Sequence, residues 1–376
     1  MQEIIDRCYF CDTPFQVLNC INLQLTERKN SDIYILDRFS QSGEIVERIK
    51  QKQIFRKVIL VKESNLYKLR QEYKTKLFMQ VGTFLNYLKM NRIVKKVLVS
   101  NTLYEEMYFS CHILCFRLVR FYFLKQKINT KFYMYDEGVG SYIGRFERIN
   151  PVDKIFRRLL FGKKSVQKVF ESVLYQPKLS TRAADKNTKV YKMPYIEIED
   201  ADKVNIYNDV FGYSEECAIK RDCIFFDGRR EVNFIGKDAL DAMQRWYNAI
   251  EEIIGTENLI VKEHPRCINT YKYSCEIHKN NEIPSEICFM NMEIEKNVLI
   301  SVGSTAVVTP KIIFDKEPVI LLLCMVDSRF YQPLPKMVDF FRNVKKLYRN
   351  PEKVFIPESE DELRENLLTI RSFLER

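Results

Sequence analysis

The chain of 376 residues is poor in glycine, histidine and tryptophan, with 11, three and one respectively. So little glycine excludes long Gly-rich loops and fibrous repeats. No GxGxxG and no GxxxxGK[ST] spacing occurs, which removes the dinucleotide fingerprint and the P-loop. No apolar run reaches the roughly 18 residues of a membrane span. The nearest, Met107 to Leu124, is broken by His112, Arg117 and Arg120 and reads as a buried or interfacial helix. Met1 to Phe10 carries Glu3, Asp6 and Arg7 where a signal peptide needs an apolar core, so no cleavable signal is expected. Cys8 and Cys11 form a CxxC without a second pair at zinc-like spacing, and no metal site is expected. Internal repeats and low-complexity tracts are absent as well.

What is present is a large apolar reserve and an uneven charge. Hydrophobic residues make up 46% of the chain, which excludes global disorder. Residues 1–180 hold 32 Lys and Arg against 17 Asp and Glu, whereas 181–376 hold 28 against 33. Such asymmetry suggests two units with different partners. The 11 scattered cysteines fit a reducing compartment, and a cytoplasmic location is expected.

Short apolar runs alternate with helical patterns. Strands are predicted at 8–11, 32–36, 57–62, 97–100 and 131–135, with helices over 14–25, 66–90 and 105–125. The second half repeats the rhythm, with strands at 222–226, 259–262, 298–302 and 318–323. Helices are predicted there at 238–254 and 285–293, and Ser359 with Glu362 forms a capping box for a last one. This alternation predicts α/β architecture with parallel sheets. Gln176 to Pro194 is polar and reads as a linker. The expected domains are 1–178, 195–345 and a helical segment 346–376.

Three segments follow predicted strands. Tyr135-Asp136-Glu137-Gly138-Val139-Gly140 reads either as a general base on a sharp turn or as a solvated acidic turn. Val261-Lys262-Glu263-His264-Pro265-Arg266 holds the one histidine between a strand end and a proline. Its imidazole could face a phosphate or a leaving group, and Lys262 and Arg266 could serve the same anion. A plain surface turn is the alternative. His112 is expected in a core and His278 at the surface. Ser301-Val302-Gly303-Ser304-Thr305-Ala306 suits an anion at a helix start, or simply a helix cap. Glu286 lies near another helix start, where it could accept from ribose hydroxyls. Asp200-Ala201-Asp202 has DxD spacing but reads as solvated charge.

Taken in order, the acidic pair with Gly, the His-Pro and the Ser/Thr pair resemble glycosyltransferase family 52, the bacterial lipooligosaccharide and capsule sialyltransferases. Cys11-Asp12-Thr13-Pro14-Phe15-Gln16 is similar to that family's first strand-to-helix junction. The likeness runs over roughly residues 8 to 325. It implies a GT-B fold, two Rossmann-like domains facing across a central cleft. It implies inverting, metal-independent transfer of sialic acid from CMP-sialic acid to a galactose-type hydroxyl of a surface glycan, with an α-2,3 linkage. By motif position Asp136 is the base, supported by Glu137 and Gly138, and His264 faces the departing phosphate. Gly303, Ser304 and Thr305 bind that phosphate, Glu286 the ribose, and Pro265 completes the His-Pro pair. Thr13, Pro14 and Gln16 fall on the acceptor side, and no cofactor is implied.

One alternative is a UDP-hexose donor on the same fold. Another is a non-catalytic basic protein that binds membrane or nucleic acid, although no nucleic-acid signature appears. Two basic, aromatic stretches, 154–164 and 340–353, suggest peripheral contact with the inner face of the cytoplasmic membrane. The 107–124 helix suggests a homodimer contact.

Overall fold

The computed structural model describes residues 3–68, 72–100, 102–109, 113–144, 150–166, 171–181, 189–227, 237–264, 272–332 and 335–375. The chain divides into two compact units, Met1–Pro194 and Tyr195–Arg376.

The first unit runs β1 (Glu3–Cys11), α1 (Pro14–Glu27), β2 (Ser31–Leu36), α2 (Ser42–Lys52), β3 (Lys57–Val61), α3 (Lys76–Leu88) and α4 (Met90–Val97). It continues with β4 (Thr102–Phe109), α5 (Leu114–Lys125), β5 (Lys131–Tyr135), α6 (Val139–Ile143), α7 (Pro151–Phe161), β6 (Glu171–Leu174) and β7 (Val190–Lys192). All seven strands are parallel, in the order β3-β2-β1-β4-β5-β6-β7. The order reverses between β1 and β4. At such a switch point the carboxyl ends of the strands leave room for a ligand. The junction after β1 is built locally. Pro14 opens α1, and the Thr13 hydroxyl caps it by accepting from the Gln16 N–H.

Several expectations change here. The chain at 97–100 is the end of α4 and the turn after it, and the strand is Thr102–Phe109, which overlaps the start of the predicted 105–125 helix. Glu105 and Glu106 made that strand look helical. In the fold Glu106 takes two hydrogen bonds from the buried Arg7 guanidinium on β1, so a cross-strand ion pair overrides local propensity. The predicted 66–90 helix is shorter and breaks at Lys89 before α4. The 176–194 segment is more than a linker, since it adds β7 to the sheet edge. The outer residues of the 107–124 stretch belong to β4 and α5, whose Phe116, Leu118, Val119 and Phe121 fill the core. That side is unavailable to a second copy. His112 lies outside the described residues.

The second unit contains α8 (Ala201–Phe211), β8 (Cys223–Asp227), α9 (Lys237–Ile254), β9 (Leu259–Glu263), β10 (Glu276–Ile277), α10 (Ser285–Met290) and β11 (Val298–Ser301). A 3-10 turn, Thr305–Val308, runs into a π turn, Pro310–Phe314. Then come β12 (Val319–Leu322), α11 (Ser328–Tyr331), α12 (Pro335–Lys345), β13 (Val354–Phe355) and α13 (Glu360–Leu374). Its six strands are also parallel, in the order β10-β9-β8-β11-β12-β13, with the reversal between β8 and β11. Val319–Leu322 is wholly buried, as a central parallel strand should be.

The C-terminal segment is part of this unit. Leu363, Leu367 and Ile370 of α13 pack on Trp246 and Ile250. The buried Glu317 carboxylate accepts from the Arg349 N–H at 2.8 Å and the Asn350 N–H at 3.3 Å, and pairs with Lys311 at 2.6 Å. The 340–353 stretch therefore shows only its polar side to the surface, because Phe340, Phe341 and Tyr348 are buried. Asp200 is also more than solvated charge, since it caps α8 by accepting from the Lys203 N–H at 3.1 Å.

Candidate functional site

In the first unit Asp136 follows β5 at the carboxyl edge of the sheet. Gly138 sits at φ 88, a backbone state open to glycine but not to L side chains, and it lets the chain turn straight into α6. The Asp136 side chain is 1% exposed. One carboxylate oxygen accepts from the Gly138 N–H at 2.8 Å and the other from the Tyr142 hydroxyl. Burial raises its pKa to about 6, against hydrogen bonds from Tyr142, the Gly138 N–H and the Tyr175 N–H, which lower it. None of these donors carries a charge. The Asp136 carbonyl accepts from the Asn19 amide at 2.8 Å, and the Tyr175 hydroxyl donates to Asn19 at 2.8 Å. The Glu137 N–H donates to Ser141 at 2.9 Å.

The residues expected on the acceptor side hold the β1–α1 junction together. Gln16 is buried, and its carbonyl accepts from the Asp12 N–H at 2.7 Å and from Tyr135 at 3.2 Å. Thr13 and Pro14 form the helix start. Tyr142, Tyr175 and Asn19 went unnoticed in the sequence. Tyr142 alone had a signal there, its place six residues past Asp136, just beyond the Gly138 turn.

In the second unit three strand ends lie side by side. Asp227 pairs with Glu263, and Phe226 with Ser301. The Ser301 hydroxyl donates to the Phe226 carbonyl and accepts from the Gly303 N–H at 3.2 Å and the Ser304 N–H at 2.8 Å. Ser304 then caps the 3-10 turn by accepting from the Ala306 N–H. The Gly303 and Ser304 amides are thus engaged within the loop, which leaves the hydrogens of the Ser304 and Thr305 hydroxyls as the donors for an anion. Gly303 packs so closely on Met337 that a Cβ there would lie 3.1 Å from its methyl. His264 is exposed at the end of β9, its N–H donating to the Asp227 carbonyl. Pro265 and Arg266 lie outside the described residues.

Lys262 does not stand beside His264 at the surface. Its side chain is buried and its ammonium donates to the Asn280 carbonyl at 3.2 Å. Burial lowers its pKa, opposed by nearby Cys288 and Glu286. Burial likewise raises the Glu286 carboxyl, which bonds its own N–H, feels Lys262 and accepts from Thr309. His278, expected at the surface, is 4% exposed. Its Nδ1 accepts from the Asn280 N–H at 3.3 Å, so Nε2 carries the proton toward the Cys217 carbonyl at 3.1 Å. Burial and Lys262 both lower its pKa, which keeps the ring neutral. Buried Lys262 and Thr309 thus form a polar cluster with half-buried Glu286 beside the β9 and β11 ends. Among the described residues no three His, Cys, Asp or Glu converge as a metal site would require.

No family model matches the sequence, and no curated protein does either. Solved structures do match in fold. The chain is similar to the crystal structure of CalG4, the calicheamicin glycosyltransferase, with TM-score 0.50, 10% identity, 100% of this chain and 90% of that one covered. Arabidopsis thaliana UGT89C1 complexed with UDP matches with TM-score 0.47 and 9% identity over 99% and 95% of the two chains. TcCGT1 in complex with UDP matches with TM-score 0.43 and 9% identity over 99% and 93%. The fold is GT-B. Each unit is one of its two Rossmann-like sheets, of seven and six strands.

Proposed function

We propose that the protein is a glycosyltransferase that takes its sugar from a nucleotide donor held by the second unit. The observation that carries this reading is the row of strand ends Asp227, Glu263–His264 and Ser301–Thr305, beside buried Lys262 and half-buried Glu286, at the switch point of a GT-B sheet. His264 and the Ser304 and Thr305 hydroxyls supply neutral or cationic donors for a leaving phosphate. Glu286 supplies an acceptor for ribose hydroxyls. Asp136 is the proposed base. Its value near 6 puts a carboxylate in the range useful at neutral pH.

The fold likeness is to glycosyltransferases and does not single out sialyl transfer, so a UDP-hexose is the first donor to test. CMP-sialic acid is the second, favoured by Asp136-Glu137-Gly138, His264-Pro265 and Ser304-Thr305 occurring in the order of family 52. Transfer is proposed to need no metal, since no DxD pair stands at a strand end. Purified protein incubated with each donor and lactose, with nucleotide release read with and without EDTA, decides among these. Release of UDP selects the first donor and release of CMP the second. Release of neither defeats the glycosyltransferase reading, and loss of release on chelation defeats the metal-free one.

A further inference from the structure

The helix pair α3 and α7 turns an apolar face outward. On α3, Leu77 (67% exposed), Phe78, Val81, Leu85 and Leu88 are exposed. They fall within about 100° of one another around the helix axis. On α7, Val152, Ile155 and Leu159 (77% exposed) do the same. The two faces meet at the Phe84–Phe156 ring contact, with centroids 4.6 Å apart, so they form one surface. The inner sides of both helices are already satisfied. Tyr87 packs edge-on against Phe121 and Phe161, and buried Arg157 is paired with Asp153. A helix that faces water normally shows it charged and polar residues. A contiguous outer face of leucine, isoleucine, valine and phenylalanine marks an interaction surface.

Its surroundings select the partner. Lys76 and Lys89 flank α3, and Lys154, Arg158, Lys163 and Lys164 lie on and after α7, all exposed and none in an ion pair with a described residue. The whole first unit holds 36 Lys and Arg against 18 Asp and Glu. We infer that this surface docks on the anionic leaflet of a lipid bilayer, with the apolar side chains in the acyl boundary and the cations at the headgroups. A second copy is disfavoured, because an isologous contact would set each ring of cations against its own image. The inference stands on surface chemistry alone and does not depend on the proposed reaction.

Full-length protein is sedimented with vesicles of phosphatidylcholine alone and of phosphatidylcholine with phosphatidylglycerol, at low and high salt. Binding is expected to the anionic vesicles at low salt, weaker at high salt and weaker still on the neutral ones. Lys154→Gln with Arg158→Gln should weaken it by about fivefold per cation removed. Phe78→Asp with Leu159→Asp should abolish it, with an unchanged thermal midpoint showing that the fold survives. Leu368→Asp, at an exposed apolar position on α13, should bind as the parent does. Absence of binding to anionic vesicles at low salt overturns the inference, as does binding undiminished by the double aspartate variant. A concentration-dependent dimer dissolved by that variant, without vesicle binding, assigns the surface to a second copy instead.

Discussion

Asp136 in the first unit and Glu317 in the second are equally buried, each about 1% exposed, yet they ionise in opposite directions. Asp136 is surrounded by neutral donors, and burial wins, so its pKa rises from 3.8 to about 6. Burial also pushes Glu317 up, but the Arg349 N–H, the Lys311 ammonium and the Asn350 N–H carry it from 4.5 down to about 2. The lesson is that burial sets the cost of a charge and the partners set its sign. A carboxylate raised in this way is poised for proton transfer, whereas one held low serves as an anchor. Glu317 is such an anchor, tying the 349–353 chain to the approach of β12.

The contrast can be broken at either end. The largest effect is expected from Asp136→Asn, which should slow transfer by about 10²–10⁴-fold while the fold remains intact. A variant with parental turnover would show that the first acid is only a turn organiser. Next comes Glu317→Gln, which leaves Lys311 underpaired in a buried site and should cost about 3 kcal/mol in denaturant unfolding of the second unit. A loss below about 1 kcal/mol would mean that the clasp is screened.

The pH dependences follow with opposite signs. Folding raises the Asp136 value, so that group's contribution to stability is full below 3.8 and is lost as pH rises through about 6. Asp136→Asn should flatten stability over that window and leave the variant no less stable at neutral pH. In the parent, the acid limb of the rate profile should fall with a midpoint near 6. Folding lowers the Glu317 value, so its contribution is present above 4.5 and is lost as pH falls through about 2. Equal acid sensitivity of the parent and Glu317→Gln would defeat that assignment.

A smaller effect is expected at α13, where Ser359 accepts from the Glu362 N–H at 3.1 Å while Glu362 reaches back to the Glu358 N–H at 2.7 Å. Ser359→Ala should cost about 1 kcal/mol. The smallest belongs to Leu159→Asp. At a position so exposed, stability should move by no more than about 0.5 kcal/mol, even though vesicle binding should weaken. A large destabilisation would place Leu159 in packing rather than at a docking surface.

Much of the fold was legible because buried parallel strands read as continuous apolar runs. β5 was expected at 131–135 and forms at Lys131–Tyr135, and the strand runs near 223, 259, 298 and 319 fall within a residue or so of their positions. The stretch from 97 to 125 was not legible. Glu105 and Glu106 look helical until Arg7, about a hundred residues away in sequence, is seen beside them. Similar limits apply to the site. The strand-end positions of Asp136, His264 and Ser301 could be read locally, but Tyr175, Asn280 and Thr309 are brought to their partners by the sheets and carry no local signature.

The two basic, aromatic stretches show where sequence ends and tertiary structure begins. By composition 154–164 and 340–353 are alike. Packing buries the phenylalanines of the second and leaves Ile155 and Leu159 of the first in the open. Composition and periodicity determined that two parallel α/β units would form and where several of their central strands would end, since those follow from local apolar patterning. Which acid would be desolvated, which cation paired and which apolar face left uncovered was decided only in three dimensions, because burial and charge pairing depend on neighbours far away in the chain.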